Sequence, residues 1–309
     1  MLSFCALMLK IRFDMKVIHN CSLYPFHIEY CNNIHEELLD RGHESIIVAG
    51  GDGSNEYFDA DFTILPDENS NNLGGKGVWI GHALPVIPQN NFYLENSFYD
   101  SLHRNSDYIF THSEIWKEWC DGLYDLPIYN VGFPRLDKLF GTILGGNIVY
   151  LPTHDHKGSV YSGNRVKVET LDDLAIKYDC DGVIVRGHPA FYNNEFKLDD
   201  CFRNASIVIS DYSSTGLEAI VLNIPTILVG DGAGKWKDVI NDHISGKADE
   251  AAIRVWSHKE LETAIGVYIT NPKHLEEERL RYSKLLCDYQ GISSKKVVDT
   301  LEKIKSDLK

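Results

Sequence analysis

The sequence predicts an α/β protein built from two Rossmann-like parallel-sheet units that face each other across a cleft. Three observations carry that expectation. Short apolar runs alternate with stretches of helical spacing, the pattern of parallel sheets with helices on both faces. The pattern starts twice, with a break at Gly145 and Gly146 in "FGTILGGNIVY". The chain has 309 residues, enough for two domains of about 150 residues, each able to bury a core. The expected organisation is an N-terminal extension over residues 1–14, a first unit over 15–144 and a second over 145–309 that ends in charged helices.

The elements follow in order. "KVIHNCS" is the first strand, and "IEYCNNIHEELLDRG" a helix with Ile28, Cys31, Ile34 and Leu38 on one side and a stop at Gly42. "ESIIVAGG", "DFTILPD" and "GKGVWIGHA" are three more strands. Tyr108 to Thr111 is a strand leading to a helix that Ser113 can cap. "PIYNVGFPRLDKLF" closes the first half with strand, turn and helix start. The second half gives a strand and polar loop in "NIVYLPTHDHKGS", a helix in "VKVETLDDLAIKYD" and a strand in "DGVIVRGHP". Strand, loop, helix and strand follow in "SIVISDYSSTGLEAIVLNIPTILVG", and "PKHLEEERLRYSKLLCDYQG" and "SSKKVVDTLEKIKSDLK" make a helical tail.

The net charge of −15 argues against nucleic acid as a partner and weakens tight docking on an anionic membrane. The seven cysteines are scattered and form no C-x-x-C, which reads as free thiols in a reducing compartment without a zinc site. "MLSFCALMLKIRFD" is too short an apolar stretch to span a bilayer and lacks the basic region and cleavage site of a signal peptide. A cytoplasmic protein is the expectation.

In open parallel sheets ligands sit beyond the carboxyl ends of strands, so the polar residues at those ends are the candidates. In "SDYSSTGLEA", Ser213, Ser214, Thr215 and Gly216 open a helix whose unpaired N–H groups and dipole favour an anion. Glu218 lies one turn in, where a carboxylate can take the two hydroxyls of a ribose. An ordinary N-cap with a favourable first-turn acid fits the same spacing. In "VIVRGHPAFY", Arg186 and His188 can bind or polarise a phosphate, or His188 can be a loop histidine bonded to backbone. His82 in "WIGHALP" ends a strand of the first unit and can serve as general base or as a structural histidine. Arg135 and Asp137 in "GFPRLDKL" suit a phosphate and the orientation of a histidine or hydroxyl, or form a surface ion pair. "LPTHDHKGS" offers Thr153 or Lys157 to a phosphate; its alternate histidines diverge on an extended segment, so no metal is called for.

Taken together and in order, "GHALP", "HSEIW", "VGFPRLDKL", "VYLPTHD", "VRGHP" and "SDYSSTGLEA…NIPTILV" resemble the CDP-glycerol glycerophosphotransferase family, the teichoic-acid and capsule polymerases and primases. The similarity runs from about Met15 onward, and its strongest pieces are "FPRLD", "GHP" and "SDYSS…E". The resemblance implies a GT-B fold and transfer of a polyol phosphate from a CDP-activated donor to the hydroxyl of a polyol-phosphate or glycan acceptor, releasing CMP. It implies His82 as general base, Asp137 as an acidic residue needed for activity, His188 on the donor phosphates, Ser213 and Ser214 as phosphate-binding serines and Glu218 for the ribose. It implies no cofactor. The sequence departs from the family where Gly81 precedes His82 and Trp79 stands three residues before it, and where "GHALP" replaces the family's H-G-T-P. These departures touch the acceptor side, and the acidic charge leaves room for a soluble acceptor or weak peripheral membrane contact. A GT-B glycosyltransferase or nucleotide-sugar epimerase using a UDP-sugar is the alternative, and a non-catalytic nucleotide- or glycan-binding protein is a third class.

Overall fold

A computed structural model describes residues 14–23, 27–49, 57–67, 70–81, 105–141, 145–152, 166–187, 195–210, 214–230 and 248–309. The first unit contains β1 (Lys16–Cys21), α1 (His27–Asp40), β2 (Glu44–Ala49), β3 (Phe62–Leu65), β4 (Lys76–Trp79), β5 (Tyr108–Thr111), α2 (Glu114–Asp121) and β6 (Ile128–Asn130). Its six strands are ordered β2-β1-β3-β4-β5-β6 and all pair in parallel. A 3₁₀ helix, Pro134–Leu139, leads out of it. The second unit contains β7 (Asn147–Leu151), α3 (Val168–Lys177), β8 (Gly182–Val185), α4 (Leu198–Asn204), β9 (Ala205–Ser210), α5 (Ser214–Val221) and β10 (Thr226–Val229). It continues with α6 (Ala248–Ala251), β11 (Ile253–Val255), α7 (His258–Thr270) and α8 (Glu276–Leu286), before the last helix, α9 (Ser293–Asp307). Its sheet is ordered β11-β10-β9-β7-β8, again parallel throughout.

Local chemistry sets the element ends. Ser113 caps α2 by accepting from Trp116 N at 3.4 Å. Helix α1 ends in a Schellman motif: Gly42 has φ +80, its N–H donates to Leu39 O, and His43 N donates to Leu38 O. The buried face of α1 is His27, Cys31, Ile34 and Leu38; Ile28 is partly buried and packs against the same core.

Each sheet buries both faces. In the second, Ile148, Tyr150, Ile207 and Ile209 pack against α3 and α7, while Val149 and Val208 pack against α5 and α8, as the twofold alternation of strand side chains requires. The first sheet's core, with Val17, Phe62, Val78 and Phe110, is completed by Val297, Val298, Leu301 and Ile304 of α9. The sequence grouped the whole charged tail with the second unit. In the structure α8 packs on that unit, whereas α9 crosses back to cover the first. Arg41 in the loop after α1 fastens α9 through Asp299 at 2.7 Å and Glu302 at 3.1 Å.

The 3₁₀ helix joins the units. Phe133, Leu136 and Leu139 lie in the core of the second unit, while Asn33 of α1 donates to Pro134 O at 2.7 Å. The two sheets are thereby coupled through a buried apolar contact. Among the described residues no helix is long and apolar enough to cross a membrane.

Candidate functional site

The second sheet reverses its strand order between β7 and β9, and such a switch point opens a crevice at the carboxyl ends of the strands. Helix α5 starts beside it, after β9. Ser214 and Thr215 sit half-buried in its first turn. The leading N–H groups of this helix have no intrahelical acceptor, so the end favours an anion.

Gly216 takes a part the sequence did not show. A methyl group there would lie 3.2 Å from Ser210 Cβ and 3.1 Å from Leu228 Cδ2. The glycine seats α5 against β9 and β10.

Glu218 is fully buried on α5 and faces Arg135 of the 3₁₀ helix, with Oε2 3.5 Å from Arg135 Nε. Arg135 is itself only 2% exposed. Its Nη2 donates to Asp199 Oδ1 at 3.0 Å, and its guanidinium lies 5.2 Å from the Tyr30 ring centroid and 5.9 Å from that of Phe202. Burial raises the Glu218 carboxyl to about 7 against the pull of Arg135. Arg135 also feels burial, which disfavours its charge, but Glu218 carries it above the ordinary arginine range and it stays cationic. Tyr30, half-buried beside both, has its hydroxyl raised by desolvation and by Glu218. Arg135 was expected on a phosphate or in a surface ion pair. It is instead a buried cation joining the two units, because an apolar and aromatic wall surrounds its stem.

Asp137, expected to orient a histidine or hydroxyl or to form a surface ion pair, is bonded to the start of α9. Its Oδ1 accepts from Ser293 N at 2.9 Å, and its Oδ2 accepts from Ser294 N at 2.7 Å and from Ser294 Oγ at 2.5 Å. Both carboxylate oxygens are taken up at the start of α9, so Asp137 caps that helix from another element. Burial pushes its carboxyl up, with the serine hydrogen bonds opposing.

Arg186 follows β8, buried to 7% exposure. Its Nε donates to Phe196 O at 3.3 Å, and its Nη2 lies 3.9 Å from Glu29 Oε2 of α1. The structure therefore brings together Arg135, Glu218, Arg186 and three residues the sequence did not single out, Tyr30 and Glu29 of α1 and Asp199 of α4. No local signal marked those three; helix α1 read as an ordinary amphipathic element. A cavity of about 10 Å³ borders the cluster, lined by Tyr30, Pro66, Ile80, Gly81, Phe133 and Arg135 among others, room for about one water. His82, Thr153, His188 and Ser213 lie outside the described residues. The strands that precede the first three in the chain, β4, β7 and β8, end at Trp79, Leu151 and Val185.

Among the described residues no group of three or more His, Cys, Asp or Glu is placed to hold a metal ion.

No protein-family model matches the chain. No curated protein matches it either. Solved structures do. The wall teichoic acid polymerase TagF matches at 13% identity and a TM-score of 0.67, covering 95% of this chain and 90% of that one. A TagF variant soaked with CDPG matches at 13% identity and TM-score 0.67, over 96% and 90% of the two chains. MnaA of S. aureus, in a co-structure with UDP, matches at 10% identity and TM-score 0.60, over 94% and 97%. At these identities the likeness concerns the fold: the chain has the GT-B architecture, with two parallel-sheet units and helices on both faces.

Proposed function

We propose that this protein transfers a polyol phosphate, glycerol phosphate or a close relative, from a CDP-activated donor to an acceptor hydroxyl, releasing CMP, in the synthesis of a cell-surface polymer. The observation that carries the proposal is the small polar N-terminus of α5 at the switch point of the second sheet, with Ser214 and Thr215 in its first turn. It is supported by the motifs shared with the glycerophosphotransferase family and by the overlay on TagF, named as a wall teichoic acid polymerase and soaked with CDPG.

In this reading Ser213, Ser214, Thr215 and the helix N-terminus hold the donor pyrophosphate, with His188, Arg186 and Thr153 beside it. The acceptor hydroxyl attacks the β-phosphorus. The bond from that phosphorus to the bridging oxygen breaks, CMP leaves, and His82 takes the hydroxyl proton. Charge develops on phosphoryl oxygens, so preorganised donors supply most of the acceleration. Asp137 acts by fixing α9 and the 3₁₀ helix, and Arg135 by linking the units, rather than on the reacting atoms. The acceptor is a polyol phosphate or glycan, and the enzyme works in the cytoplasm, with at most weak contact to the inner face of the membrane.

The second reading is a UDP-sugar enzyme, favoured by the overlay on MnaA bound to UDP. A donor screen separates the two. The proposal expects CMP from CDP-glycerol or CDP-ribitol in the presence of acceptor. UDP released from UDP-sugars, with CDP-polyols inert, overturns it.

A further inference from the structure

We infer that Arg135 is a positioning residue for the donor site: from the first unit it holds the carboxylate of Glu218, in the second, oriented and ionised to receive the ribose hydroxyls of the donor nucleotide. This rests on the reading of α5 as the donor seat and adds a task for a residue that touches no substrate.

The geometry is unusual for a structural ion pair. Glu218 is fully buried, and among the described residues neither of its oxygens has a hydrogen-bond partner. Nε and Nη1 of Arg135 have none either. The 3.5 Å separation gives attraction without a hydrogen bond. Burying such a pair does not favour stability over an apolar replacement, and buried unsatisfied groups call for a cause. A carboxylate held by charge, with neither oxygen hydrogen-bonded among the described residues, has the acceptor capacity that two vicinal hydroxyls would use. Glu218 lies four residues beyond Ser214, about 6 Å along the helix axis, and a nucleotide's ribose is joined directly to its phosphates.

The guanidinium cannot swing away easily. Asp199 of α4 holds Nη2, and the rings of Tyr30 and Phe202 border it. Among the described residues the other charged or titratable groups facing Glu218 are Asp199, Arg186 after β8, and Glu29 and Tyr30 of α1. Burial, Asp199 and Glu29 push its carboxyl up; Arg135 is the larger of the two cations that oppose them. Removing Arg135 takes away the larger of the two opposing cations, so the Glu218 carboxyl moves further up.

The test is calorimetric titration of the full chain with CDP and 2′-deoxy-CDP from pH 6 to 9. Their affinity ratio isolates the ribose contact, because phosphate titration is common to both. In the wild type the preference for CDP rises through about pH 7 to about ten- to a hundredfold, the range for a hydrogen bond to a charged group. Arg135→Met moves that rise to higher pH, and Glu218→Gln abolishes it. Arg135→Lys keeps the charge but not the planar fork, so it keeps the midpoint with a smaller preference; it answers the question if Arg135→Met does not fold. A wild type that binds CDP with this profile, beside arginine variants with the same profile and the same preference, overturns the inference alone. A wild type that does not bind CDP, or binds it without any preference for ribose, removes the donor reading and the inference together.

Discussion

Replacing Asp137 by alanine should loosen the last helix rather than stop the chemistry. The carboxylate makes three hydrogen bonds at the start of α9, two of them to backbone N–H groups. Losing an N-cap costs about 0.5–2 kcal/mol, and leaving buried donors without an acceptor adds about 1–3 kcal/mol. Ser293 and Ser294 are both buried, so the second cost applies in part. It is reduced because alanine also relieves the burial of a carboxylate, the cause of Asp137's raised pKa. The net expectation is about 2–3 kcal/mol. With about 2.1 cal/mol/K of unfolding entropy per residue and 309 residues, that lowers Tm by roughly 4 °C. The assay is thermal unfolding followed by circular dichroism, paired with CMP release per folded molecule at low temperature. A variant with unchanged Tm and abolished turnover would refute the capping account and return Asp137 to the reacting centre.

Three further outcomes are expected. His82→Ala abolishes transfer while leaving CDP-polyol binding intact in calorimetry; full activity in that variant removes the base assignment. Gly216→Ala destabilises by about 1 kcal/mol in chemical denaturation, because crowding against Ser210 and Leu228 outweighs the gain in helix propensity; weakened nucleotide binding at unchanged stability would instead show that the glycine makes room for a ligand. His19 is held neutral, its pKa lowered from 6.5 to about 3 by burial and then by His35. A lowered folded-state value gives stability that is present above pH 6.5 and lost as pH falls towards 3, about 2 kcal/mol of it by pH 5. His19→Gln should flatten that slope, and an identical slope in both proteins would contradict it.

The strands were legible in the sequence wherever apolar runs end in glycine, proline or small polar residues, as at Gly81, Gly187 and Ser210. The start of α5 was legible for the same reason. Strand β11 and helix α7 were passed over, although Ser257 and Glu260 give a local sign: Ser257 accepts from Glu260 N, and Glu260 reaches back to Trp256 N at 2.6 Å, a variant of the capping box. What no local pattern could reveal were the tasks of Arg135 and Asp137. The partners of Asp137 lie 156 and 157 residues further on, and Arg135 meets Glu218 only because the 3₁₀ helix packs into the other unit's core. A short motif of Pro, Arg and Asp at a turn has the same composition whether it faces a phosphate or a helix end. Its meaning is set by what the fold brings against it.

Isotopic labelling reports most directly which bond of the donor breaks. CDP-glycerol carrying ³²P at the β-phosphate, incubated with acceptor and resolved by chromatography, should deliver the label to the polymer product and leave unlabelled CMP. Label recovered in a released nucleoside diphosphate, with none in product, would contradict phosphoryl transfer and place the reaction at carbon.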